Sequence, residues 1–136
     1  MAQVLLYNIT DREKLLKIRL LLLRLRVACR EVAPEEHAHP LGYLLGLPGY
    51  APSPDEAVPF TEELLVMDGL SADRFNALLD GLRSEGAPIA LKAVATEHNV
   101  AWSSARLCRE LQSERLAMSR AAARHPAKKS AHRKKK

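Results

Sequence analysis

The chain has 136 residues, 47% hydrophobic and 27% charged, which is long enough for one globular domain and too apolar for a disordered protein. Its net charge of +5 is unevenly spread: all 16 acidic residues but only 13 of the 21 Lys and Arg precede Arg120, so the body is mildly acidic and the end strongly basic. Two cysteines without a CxxC spacing, no basic segment ahead of the first apolar run, and Arg19 and Arg24 interrupting the longest one argue against a disulfide scaffold, a signal peptide and a membrane span; the expectation is a soluble, cytoplasmic protein with reduced thiols.

In chain order, Val4-Leu5-Leu6-Tyr7 reads as a first strand ending at Asn8. Thr10 and Glu13 have the spacing of a capping box and predict a helix from there to about Val27. Residues 28–33 predict a second strand, with Arg30 and Glu31 as an edge would carry them. Residues 34–60 are a long Pro/Gly-rich connection with room for a helical turn near Pro40–Leu45. A third strand follows at Leu64–Met67, a helix capped by Ser71 and closed by Gly86, a fourth strand over 89–95, and a last helix from about Asn99 to Ala123. The domain is thus expected to span residues 1–123, with 124–136 a disordered basic tail that has nothing to bury.

The strand–helix–strand pattern occurs twice, about sixty residues apart, and the central strands are apolar at consecutive positions, as expected when both sheet faces are covered. This predicts an α/β fold: a small four-stranded, mostly parallel sheet of order 2-1-3-4 with helices on both faces. The alternative is a ferredoxin-like α+β sheet in which residues 34–60 form an enlarged hairpin. A parallel sheet would bring Asn8 and Asp68 together at the carboxyl ends of neighbouring strands, where open α/β sheets bind ligands. Thr10, Thr96 and Asn99 would line the same crevice, with Lys92 and Trp102 near its rim and Arg106 placed to stack on Trp102. Each polar residue there also has a purely structural reading as a helix cap or turn former.

The first helix has more apolar surface than one core contact needs. At 100° per residue, Leu15, Ile18, Leu21, Leu22 and Leu25 form one face, and Leu16, Leu20, Leu23 and Val27 a second. Arg12, Arg19 and Arg26 border the second face on one side, Lys14, Lys17 and Arg24 on the other. Either the 34–60 connection or the last helix covers it, or it is a homodimer contact.

No motif specifies catalysis or a cofactor. Glu35, Glu36, His37 and His39 lack a standard metal-ligand spacing, Ser103-Ser104 lacks a nucleophile elbow, and Gly42, Gly46 and Gly49 are too far apart for a phosphate loop. Lys128, Lys129, Arg133, Lys134, Lys135 and Lys136 could hold nucleic acid electrostatically. A base-stacking sheet is disfavoured, because Tyr7 is the only aromatic of the central strands.

Leu91, Lys92, Ala93, Val94, Thr96, Asn99 and Trp102, with LLVMD before them and PLGYLLGLPG and LLYNI further upstream, give residues 4–115 a pattern that resembles the bacterial family called domain of unknown function 3783. The resemblance supports the fold and implies no activity. On the residues alone, the chain reads as a non-enzymatic module binding a protein or a small-molecule ligand, with nucleic-acid or ribosome association through the tail as the alternative.

Overall fold

The two halves of the chain meet at the centre of one sheet. The computed structural model describes residues 2–56 and 58–124. Lys128, Lys129, Arg133 and Lys134–Lys136, on which the tail reading rests, lie outside the described residues. The elements are β1 (Gln3–Tyr7), α1 (Arg12–Arg24), β2 (Ala28–Val32), a 3-10 turn at Pro34–Glu36, α2 (Leu41–Leu44), β3 (Leu64–Asp68), α3 (Ala72–Ser84), β4 (Leu91–Val94) and α4 (Ser104–Arg124).

The sheet has the order β2-β1-β3-β4, as the sequence predicts, and two of its three pairings are parallel. The central pairing is not. β1 and β3 run antiparallel, with Leu5 opposite Val66, Gln3 opposite Asp68 and Tyr7 opposite Leu64. The ferredoxin-like alternative does not form either, because β1 lies between β2 and β3 and no hairpin joins them.

The antiparallel centre has a consequence for the layers. Each unit, β1-α1-β2 and β3-α3-β4, is a parallel crossover, and such crossovers are right-handed. Two right-handed units running in opposite directions put both helices on one face. Accordingly Ile18, Leu21 and Leu22 of α1 and Leu78 and Leu82 of α3 pack together on Val4, Leu6, Leu65 and Met67. The other face is covered by α2 and α4: Leu41, Leu44, Leu45, Leu107 and Cys108 pack on Leu5, Tyr7, Leu64 and Val66. Alternate residues of the central strands feed opposite cores, which is why those strands are apolar throughout.

The two units match in detail. α1 and α3 are each thirteen residues long and end alike: Val27 N–H donates to Leu22 O and Ala87 N–H to Leu82 O, and the residues before them, Arg26 and Gly86, have φ of 59° and 67°. After β1, Asn8 has φ 61°, and after β3, Gly69 has φ 75°. Where the helices cross, Leu21 lies against Gly81, and a Cβ on Gly81 would sit 2.5 Å from Leu21 Cδ1. One large and one absent side chain fill the space that two equivalent large ones could not share.

Two helix starts differ from expectation. Asp11, not Thr10, caps α1, its carboxylate accepting from the N–H groups of Glu13 and Lys14. α4 begins at Ser104 rather than near Asn99, because Ser103 Oγ accepts from Arg106 N–H and residues before it form a turn.

Candidate functional site

The antiparallel centre separates the residues expected to share one crevice. Asn8 follows Tyr7 at one end of the sheet, and Asp68 pairs with Gln3 at the other. Asn8 Nδ2 donates to Phe60 O at 3.0 Å and Glu62 O at 2.8 Å, so the side chain holds the approach to β3. Asp68 accepts from Gln3 Nε2, which also donates to Leu45 O and so ties the end of α2 to the sheet. Thr96 Oγ1 accepts from the N–H groups of His98 and Asn99. Asn99, buried, returns its Oδ1 to Thr96 N–H and its Nδ2 to Val94 O, clamping the exit from β4. Lys92 Nζ donates to Ile89 O. Trp102 packs partly buried on the α2/α4 core with Arg106 over its ring at 4.3 Å, and its carbonyl accepts from Leu41 N–H at 2.9 Å. The polar groups of Asn8, Asp68, Thr96 and Asn99 are therefore engaged in holding turns and strand ends.

A remnant of the crevice exists at the carboxyl ends of β1 and β2, where Leu6, Asn8, Ile9, Thr10, Leu15, Glu31, Val32 and Pro34 line a cleft of about 190 Å³. That is smaller than the roughly 300 Å³ at which small-molecule pockets begin. Thr10 is exposed there and free to contact an occupant.

The loop histidines do not converge. His39 Nδ1 accepts from Ser53 N–H at 3.0 Å. His37 is fully buried, stacked on Phe60 at 4.3 Å and tilted against Tyr7 at 5.5 Å, with neither ring nitrogen hydrogen-bonded among the described residues. Burial lowers its pKa from the usual histidine value, with Glu35 and Glu36 opposing that shift. Beside it the Tyr7 hydroxyl and Ser104 Oγ share a buried hydrogen bond of 2.7 Å, and burial raises the phenol's pKa. Cys108 approaches Glu62 at 3.9 Å, and burial and then that carboxylate push its thiol up to about 11, which keeps it protonated and unreactive near neutral pH. This polar cluster inside the α2/α4 core was not legible in the sequence; an apolar stripe around Ser104 and a histidine in a loop with Phe60 nearby in space carry no local signal. Among the described residues no group of three or more His, Cys, Asp or Glu is placed to hold a metal ion.

The face of α1 that the sequence singled out is open. Leu16, Leu20 and Leu23 are 57%, 46% and 73% exposed, whereas Val27 is buried. The expected cover from residues 34–60 or α4 does not form, because both lie across the opposite face of the sheet. At the matching positions of α3 stand Asn76, Asp80 and Arg83. The same place in the same architecture is thus polar in one unit and apolar in the other.

The segment from Glu63 into α4, residues 63–118, matches the family described as Domain of unknown function (DUF3783). The resemblance carried by Leu91–Val94, Thr96, Asn99 and Trp102 holds over that stretch, which comprises the second unit and most of α4; β1, α1 and β2 lie outside it. No curated protein and no solved structure matches the chain.

Proposed function

We propose that the protein is a non-enzymatic binding module that engages a protein partner through the outer face of α1. One observation carries this reading: three leucines stand exposed on α1 where the duplicate helix α3, in the same setting, is polar. The fold therefore does not need them, and contiguous exposed apolar side chains mark interaction sites. The structural engagement of Asn8, Asp68, Thr96 and Asn99 and the small size of the cleft beside Thr10 support a surface rather than that crevice as the working part. Unpaired Cys29 and Cys108 support a cytoplasmic location. A photo-crosslinking amino acid placed at Leu20 should give a discrete protein adduct in native cells, and the same amino acid at Asp80 should not. Equal labelling from both positions would remove the special status of α1.

A second reading rests on charge. Residues 120–136 carry eight Lys and Arg and no acid, a composition suited to phosphate backbones. Deleting residues 125–136 removes six of these cations, and the log–log salt slope of duplex DNA or ribosomal RNA binding should then shrink by up to about five units. An unchanged slope and affinity would dismiss the tail as the contact.

A further inference from the structure

Resting on α1 as the binding face, we propose that its partner is an acidic amphipathic helix, which lays leucine-like side chains on Leu16, Leu20 and Leu23 and carboxylates against the basic rim. Arg12 and Arg19 line one flank of the stripe and Lys17 and Arg24 the other, with Arg26 in the turn that follows the helix; Glu13 is the one acid of the helix. Arg12, Lys17 and Arg26 have no ion pair among the described residues. Arg19 pairs with Glu31, and Arg24 reaches Glu85 only at 3.5 Å. Both pairs are exposed and therefore weak enough to be exchanged for a partner's carboxylates.

Arg26 adds an observation independent of the leucines. It occupies a left-handed backbone position, φ 59°, where α3 places Gly86 at φ 67° with the same hydrogen bonds around it. Side chains with a Cβ are strained there and glycine is not. A cation stands at a strained position in the turn that ends α1, just beyond the exposed stripe, and strain of this kind points to use.

Other occupants fit less well. A second copy would oppose two basic rims, and like charges across an interface are unfavourable. Three leucines also fall far short of the roughly 800 Å² that each partner of a stable dimer buries. A flat anionic membrane touching α1 would also meet α3, which lies beside it on the same face and, with Asp73 and Asp80 against Arg74 and Arg83, adds no net positive charge and no exposed leucine stripe. A single helix is narrow enough to contact α1 alone, and helix-on-helix recognition through leucines at i, i+4 and i+7 is a recurrent mode.

The test is a selection on the full-length protein from displayed helical peptides of about eighteen residues, with leucine fixed along one face and each rim position free to be Glu, Gln or Lys. The expected winners carry Glu at the rim and bind at least about tenfold tighter than their Lys-rimmed counterparts by fluorescence anisotropy, with the margin shrinking as salt is added. Leu16→Glu with Leu20→Glu should abolish that binding. Arg26→Gly should weaken it several-fold while leaving the melting temperature equal or higher, which separates lost contact from lost fold. Winners that depend on the leucines but carry Gln or Lys rims would refute the acidic partner and leave α1 as the binding face. Winners indifferent to Leu16 and Leu20 would overturn both. The acidic helix is equally overturned if the protein sediments as a dimer that Leu20→Glu dissociates, or if it binds vesicles of equimolar phosphatidylserine and phosphatidylcholine through the same leucines.

Discussion

At the scale of single residues, the two units act as controls for one another. Arg26 and Gly86 share a helix end and a left-handed backbone, so Arg26→Gly removes strain without removing a hydrogen bond. It should stabilise the fold by about 1 kcal/mol, read as a higher urea midpoint with unchanged slope. His37 has no such counterpart. Its ring is buried, with neither nitrogen hydrogen-bonded among the described residues and a pKa held below that of an unfolded histidine. Between those two values the unfolded chain binds the extra proton, so stability is lost as pH falls below about 6.5 and is complete above it, at up to about 1.4 kcal/mol per pH unit. His37→Phe keeps the stack on Phe60 and removes the titration. The variant's urea midpoint should hold more nearly constant from pH 7.5 to pH 5 than that of the native protein. Parallel curves for the two would mean that His37 is not what acid attacks.

At the scale of elements, the crossing of α1 and α3 sets a size rule. Leu21 fills the space above Gly81, and a single Cβ added there would overlap it. Gly81→Leu should therefore cost about 1–3 kcal/mol or more through overpacking. Leu21→Gly should cost about 3–5 kcal/mol through the cavity and the loss of helix propensity. The exchange of both restores one large and one absent side chain at the same crossing, so the double variant should lose much less than the sum of the two. Additive losses in chemical denaturation would show that the helices do not share this space. On the opposite face the Tyr7–Ser104 hydrogen bond joins β1 to the start of α4. Tyr7→Phe leaves a buried hydroxyl unpaired and should cost about 1–2 kcal/mol, while adding Ser104→Ala should cost little more.

At the scale of the whole molecule, neither unit has a core of its own. Val4 and Leu6 from the first and Leu65 and Met67 from the second pave one face, and Leu5, Tyr7, Leu64 and Val66 pave the other. The family match covers the second unit and most of α4, yet β3 in isolation would expose the whole edge that β1 occupies. A fragment of residues 61–136 should therefore show no cooperative unfolding by circular dichroism, and addition of residues 1–60 should restore it. A sharp transition in the fragment alone would show that the second unit folds independently of β1.

Much of this was legible from residue order, because period and turn chemistry are local. Consecutive apolar residues in LLYN and LLVMD mark buried central strands, the repeat marks two crossover units, and the 100° spacing of Leu16, Leu20 and Leu23 marks a second apolar face on α1. Strand order followed from those units. The direction of β3 against β1 did not, because residues 34–63 are long enough to return the chain either way, and both outcomes bury the same leucines. That one undetermined sign decided the rest. It carried Asp68 to the far end of the sheet from Asn8, placed α1 and α3 side by side, sent residues 34–60 to the opposite face, buried His37 of that segment against Tyr7, and left the leucines of α1 uncovered. Residue types and periods fix which surfaces are apolar; only the packing of whole units determines which of them meet and which stay open to a partner.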